Sequence, residues 1–336
     1  MSGGRRSRGR AADRADPVRW ITLGRVNQGH TYREQIDRRG AGRAVLAHLS
    51  ARFEHAGPAE WAERIAAGQV RLDDSTTSAE AVLRAGQWLS WARPPWEEPP
   101  VPLDAAVLHE DDLLLAVAKP RGLPTMPGGG LYLTHTLLAV VRRRAPEASP
   151  MHRLGRDTSG VVLFARTAAA ASVVQAAFRA RRVGKVYRAL CAGHPARDAF
   201  TVDAPIGEVA HPLLGTVHAA AAGGRPARSH VRVLERRHPE GEGSSALVEV
   251  EIETGRPHQI RIHLAHAGHP LVGDPLYGPG GVPRSGTRAL PGDPGYLLHA
   301  LRLELDHPLG GARLVIECAP PPALRERPGE AGSTTR

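Results

Sequence analysis

Lysine is nearly absent from this chain. Lys119 and Lys185 are the only two in 336 residues, while Lys plus Arg totals 44, so the positive charge is almost wholly guanidinium. Cysteine is as scarce: Cys191 and Cys318 lie far apart in sequence, which offers neither a disulfide framework nor a zinc knuckle. No apolar run reaches the roughly 20 residues a membrane-spanning helix needs. The Arg-rich start also lacks the apolar core of a signal peptide. A reducing, cytoplasmic setting is expected, with no membrane association. Aromatic residues make up only 4% of the chain, and all five tryptophans fall between Trp20 and Trp96.

What is present is basic. The net charge is +10, and residues 1–16, with five Arg against two Asp, carry +3 of it. The remaining +7 suits a polyanionic partner, nucleic acid being the commonest. An arginine-, alanine- and glycine-rich composition also arises from a GC-rich genome, so charge alone leaves both origins open. Residues 1–16 have no apolar periodicity and read as a disordered basic tail.

Residues 17–92 read as a small Trp-rich domain. Val45, Leu46, Leu49 and Phe53 recur at helical spacing, and Trp61 to Gly68 reads as a second helix closed by its glycine. Short strands follow near Gln69–Asp74 and Leu83–Trp91. Helix, glycine and strand in this order resemble an S4-type RNA-binding module, and a structural cap fits equally well. Residues 93–102, dense in proline, read as an extended linker. Residues 103–318 then form the main domain, and 319–336 a loose tail.

Within the main domain, Val107–Val117 reads as strand, acidic turn, strand. A Gly/Pro loop from Lys119 to Gly130 follows, without the Lys-Ser/Thr ending of a nucleotide-binding P-loop. Thr136–Arg144 reads as a short helix, and Thr167 caps an Ala-rich one through about Arg181, with Val173, Val174, Ala177 and Phe178 on its apolar face. Gly184–Ala192 is a strand with Lys185 and Tyr187 on one side. An aromatic beside a lysine there can stack on a base or simply pack. Further strands are expected near 228–234, 246–253, 296–305 and 313–318, with a helix from His258 to about Ala267.

Everything turns on residues 151–160, Met-His-Arg-Leu-Gly-Arg-Asp-Thr-Ser-Gly, which feed the apolar run Val161–Ala165. The carboxylate of Asp157 lies among Arg153, Arg156, Thr158 and Ser159, where guanidinium groups favour its ionised form. Such a loop is either an ordinary salt-bridged turn or a place for chemistry. His263, His266 and His269 recur every third residue, but a zinc hydrolase needs two histidines four apart with a glutamate beside the first. No metal is expected, and a metal-assisted hydrolase is a distant alternative.

Read together, Lys119-Pro120 with Gly122-Leu123, the 152–160 block, Lys185-Val186-Tyr187-Arg188-Ala189 and the long stretch from Thr254 to Gly278 resemble the RluA-type RNA pseudouridine synthases. The resemblance spans about Val107 to Cys318. It implies an α+β fold: an α/β catalytic domain with a central mixed, largely antiparallel sheet, flanking helices and an RNA-binding cleft, beside the small N-terminal domain. It implies isomerisation of uridine to pseudouridine within RNA, with no cofactor; the expected substrate is structured ribosomal or transfer RNA, and the expected state is a monomer. The target nucleotide must leave its stack before its reacting atoms are accessible. The N1–C1′ bond breaks and C5 joins C1′, with a carboxylate acting as nucleophile at C1′ or as base at the 2′ position.

In the family's usual block the acid occupies the slot that is Gly155 here. The remaining carboxylate of the block, Asp157, lies two positions on and is displaced by roughly 6–7 Å in an extended segment. Asp157 is therefore the expected replacement acid, Arg261 its arginine partner and Tyr187 the residue stacked on the uracil. Arg153, Arg156, Lys119, Lys185, Arg256 and His258 are the expected RNA contacts. The competing expectation is an RNA-binding protein that has kept the fold and lost the chemistry.

Overall fold

A computed structural model describes residues 24–53, 56–128, 130–238, 243–290 and 292–327, so the expected tail 1–16 lies outside the described residues. The chain divides into one unit over Leu23–Pro99 and a larger one from Pro100 onward.

The smaller unit runs β1 (His30–Gln35), α1 (Val45–Arg52), α2 (Pro58–Ala66), β2 (Val70–Leu72), β3 (Ser75–Thr76) and β4 (Trp88–Arg93), with sheet order β1-β4-β2-β3. Pro58 opens α2, where the missing N–H is no loss. Trp61 and Ile65, one turn apart, go into a core with Val45, Leu49, Val70 and Leu83. The Trp61 and Trp91 rings meet edge to face at 4.9 Å. The proline stretch departs from the expected linker, because 93–99 are built into this unit. Asn27 donates its N–H to Trp96 O at 3.1 Å, and Glu98 donates to Arg25 O at 2.8 Å. Prolines donate nothing, but the Trp96 and Glu98 groups between them suffice for edge pairing.

The larger unit contains β5 (Ala106–Glu110), β6 (Leu114–Lys119), α3 (Leu137–Arg144), β7 (Ser149–Pro150), β8 (Ser159–Ala165), α4 (Ala168–Arg179), β9 (Gly184–Ala192) and β10 (Ala199–Asp203). It continues with β11 (Ile206–His211), β12 (Gly215–Ala220), β13 (Arg228–Arg237), β14 (Ser245–Ile252), α5 (Gln259–His266), β15 (Leu298–Asp306) and β16 (Arg313–Glu317). Ten strands form one sheet in the order β10-β13-β14-β9-β15-β8-β6-β5, with β16 added to β15 and β7 to β8. Every pairing is antiparallel except β8 with β15. The sheet is therefore mixed and largely antiparallel, and β11 and β12 form a separate hairpin.

The unbroken apolar runs of β6 and β8 follow from cover on both faces. Leu115, Val117, Val162 and Phe164 pack with α3 on one side, while Leu114, Ala116, Val161 and Leu163 pack with α4 on the other. Thr167 caps α4 by accepting the Ala170 N–H at 3.2 Å. The buried stripe of α4 is Ala170, Val174 and Ala177, and Val173, expected on that face, is 49% exposed. One residue is 100° around the helix, enough to turn it to solvent. The expected loose tail also differs over 320–327. Leu324 is buried, and Arg237 donates to Ala323 O at 2.8 Å. Residues 328–336 lie outside the described residues. Among the described residues no helix is long and apolar enough to cross a membrane.

Candidate active site

Strand register gathers four segments at one end of the sheet. β6 ends at Lys119 opposite Gly160 of β8, so the 120–123 loop and the 152–158 loop lie side by side. β15 begins parallel to β8, with Ala300 opposite Gly160, and on its other side Ala300 faces Tyr187 of β9. Gly160 is essential to this meeting: at φ +111°, a Cβ there would sit 2.2 Å from Ala300 O.

Lys119 ties the two loops. It is 1% exposed, and its ammonium donates to Pro120 O, Leu123 O and Arg156 O at 3.0, 2.6 and 2.9 Å. Burial pulls its pKa down to about 7, against the opposing pull of the Asp157 charge. A lysine so enclosed cannot meet an RNA phosphate, which overturns its expected role. Leu154 is held on the same scaffold, since Thr125 Oγ1 donates to its carbonyl at 2.8 Å.

Asp157 is sealed beneath the loop. Arg121 donates Nε and Nη2 to its two oxygens, each at 2.7 Å, and Gly295 N–H donates to Oδ2 at 2.8 Å. The carboxylate is 3% exposed and its arginine 43% exposed, so the pair presents a guanidinium outward and an anion inward. The partner is thus Arg121, whereas Arg261 had been expected. Arg261 instead donates Nε and Nη2 to Asp274 at 2.7 and 2.8 Å, with both residues buried. Asp274 also accepts the Leu276 and Tyr277 N–H groups at 2.9 and 3.0 Å, which fixes it in its turn. The Arg261 guanidinium lies over Tyr296, 4.2 Å from the ring centroid, and 5.0 Å from that of Tyr277. Two loops bring these groups together by touching backbone to backbone: a Cβ on Gly273 or on Gly295 would meet the other's carbonyl at 2.3 Å.

The other expected residues are spread around this centre. Tyr187 packs between two core clusters, and burial pushes its phenol up to about 12, so it stays neutral. Arg153 is exposed. Arg156 donates to Gly292 O at 3.0 Å and to the Tyr132 hydroxyl at 2.9 Å. Lys185 reaches Thr254 O at 3.5 Å, and Arg256 donates to Pro226 O at 3.2 Å. His258, left-handed at φ +54° and neutral under burial, bonds Tyr277 Oη through Nδ1 at 2.8 Å. The remaining histidines point to separate partners: His263 to Ser229 and Ala204, His269 to Ala192 O. Ser159 meets His299 Nδ1 at 2.8 Å, and since His299 Nε2 faces Cys318 O and must donate, Nδ1 accepts the serine proton. Arg121, Asp274 and Tyr296 had escaped sequence reasoning, because each acts on a group distant in the chain.

Comparison with known proteins gives this arrangement relatives. A family model described as RNA pseudouridylate synthase matches residues 113–266. An uncharacterized RNA pseudouridine synthase of Synechocystis sp. is 43% identical over 78% of this chain and 89% of its own length. RNA pseudouridine synthase 5 of Arabidopsis thaliana is 39% identical over 80% and 85% respectively. The ribosomal large subunit pseudouridine synthase D of Pseudomonas aeruginosa is 36% identical over 71% and 73%. Among solved structures, human RNA pseudouridylate synthase domain containing 1 superposes with a TM-score of 0.52 at 25% identity, over 68% of this chain and 89% of that one.

Proposed function

The chain belongs to the RNA pseudouridine synthase family, and from that premise we propose how its site isomerises uridine in RNA. The proposed substrate is a uridine of structured ribosomal or transfer RNA, everted from its stack, and the proposed setting is a cytoplasmic monomer. Tyr187 is the residue proposed to stack on the uracil, its neutral phenol offering a flat face and no charge. Arg261 is held rigid by Asp274 and Tyr296 and supplies fixed positive charge beside the reacting sugar. During the reaction the N1–C1′ bond breaks, the uracil turns, C5 bonds to C1′, and the C5 proton leaves as N1 gains one.

Asp157 is the proposed acid. Its carboxylate is held in place by the Arg121 fork and the Gly295 N–H. In the closed state shown by these bonds it cannot touch a sugar. Arg121, far more exposed than its partner, is the member an RNA phosphate can draw away. Its departure would bare a carboxylate oxygen at the moment the substrate arrives.

The observation that carries the reading is the match to named synthases over most of this chain, together with a family model whose matched residues 113–266 span the 152–160 block, Tyr187 and Arg261. A second reading, RNA binding without chemistry, draws on the empty position at Gly155 and the fully engaged Asp157 oxygens. Unmodified ribosomal and transfer RNA transcripts, incubated with the purified protein and mapped by carbodiimide labelling, separate the two. Pseudouridine formed by wild type and lost in Arg261→Ala supports the synthase. Tight binding of those transcripts with no labelled site supports the second reading.

A further inference from the structure

Gly155 is an exposed residue of ordinary backbone geometry, absent from the positive-φ glycines. Backbone conformation therefore gives no reason for glycine there. The reason is a neighbour: a Cβ on residue 155 would stand 2.9 Å from the Tyr296 hydroxyl. The next atom is Thr158 Oγ1 at an ordinary 3.5 Å, and nothing else lies within 4 Å. One oxygen atom forbids a side chain at this position.

That oxygen is not free to step aside. Tyr296 is 1% exposed, its hydroxyl meets Thr158 Oγ1 at 3.3 Å, and its ring supports Arg261 at 4.2 Å. The residue before it, Gly295, is locked against Gly273 and gives its N–H to Asp157. Tyr296 thus touches each part of the candidate site: the 155–158 turn through its hydroxyl, Arg261 through its face, and Asp157 through the preceding peptide.

We propose that Tyr296 is a positioning residue of this site, its hydroxyl taking the place a side chain at 155 would fill while its ring fixes the Arg261 guanidinium, so that 155 and 296 vary only as a pair. The kinetic part of this proposal rests on the synthase reading; the steric part does not.

The test is a double-mutant cycle on the full chain, with Gly155→Ala, Tyr296→Phe and both together. Thermal midpoints and single-site conversion of ribosomal and transfer RNA transcripts are the two readouts. Gly155→Ala alone is expected to lower the midpoint by about 4 °C, as overpacking does. In the Tyr296→Phe background the same alanine is expected to cost nothing, because the phenylalanine lacks the obstructing oxygen. Tyr296→Phe alone is expected to lower kcat about tenfold with KM within about twofold, the size of one lost orienting hydrogen bond. Gly155→Ser with Tyr296→Phe returns a hydroxyl to nearly the same point and is expected to bring kcat back to within about threefold of wild type. Equal alanine penalties in both backgrounds overturn the proposal, as does an unchanged kcat in Tyr296→Phe. A wild type that converts no transcript counts against the proposed function and the positioning role together. The thermal cycle then still decides the fit between the two residues.

Discussion

His152 accepts the Leu163 N–H through Nε2 at 3.1 Å, and His258 lies against the Tyr277 hydroxyl at 2.8 Å. Burial holds the first at about 4 and the second at about 3, well below an ordinary histidine. As pH falls below about 6.5 the unfolded chain takes up protons at these positions and the native chain refuses them. Stability therefore declines from about pH 6.5 toward 4, by on the order of 2 kcal/mol for each residue at pH 5. His263 and His299, also lowered by burial, act in the same direction. Thermal melts of wild type and His258→Asn at pH 7 and pH 5 check this: the variant should lose less on acidification, and equal losses would contradict it. At this scale the sequence showed which residues crowd around 151–160, and hid who bonds to whom. Arg121 and Asp157 are 36 positions apart, and Arg261 and Asp274 are 13 apart across a turn. Charge pairing of that kind depends on the loops' final approach, which no spacing rule encodes.

Between elements, the register of β6, β8, β15 and β9 is what turns scattered motifs into one site. Gly160 is the closest point of that register, with its missing Cβ 2.2 Å from Ala300 O. Gly160→Ala is expected to destabilise the fold by more than about 4 kcal/mol, because both positive φ and backbone overlap oppose it. Urea unfolding measures this, and a loss below about 1 kcal/mol would show that β8 and β15 need not approach so closely. Most elements were legible in advance. The cap at Thr167, the helix after Thr136 and the helix after His258 follow from local chemistry, and the apolar runs of β6 and β8 mark buried strands. The pairing order was not legible, since a strand flanked by any apolar neighbour reads alike. Nor was the fate of 93–99, where the Trp96 carbonyl and the Glu98 N–H among prolines outweigh the proline signal.

Over the whole molecule, a net charge of +10 carried almost entirely by arginine suits a phosphate backbone. Arg153 is exposed on the 152–158 loop, while Lys119, equally charged in sequence, is buried. RNA affinity is expected to fall steeply with salt, and Arg153→Ala is expected to flatten the slope of log affinity against log salt by about one. An unchanged slope would remove Arg153 from the RNA contacts, whereas Lys119→Met should act on stability first. Family membership supplies the reaction, and Asp157 is the acid proposed to serve where Gly155 has none. The most direct test of that assignment is single-turnover pseudouridine formation by wild type and Asp157→Asn on the same transcript, with melting midpoints recorded alongside. A folded Asp157→Asn whose rate falls by about a thousandfold or more is the expected result, and a folded Asp157→Asn that converts uridine as fast as wild type would contradict it.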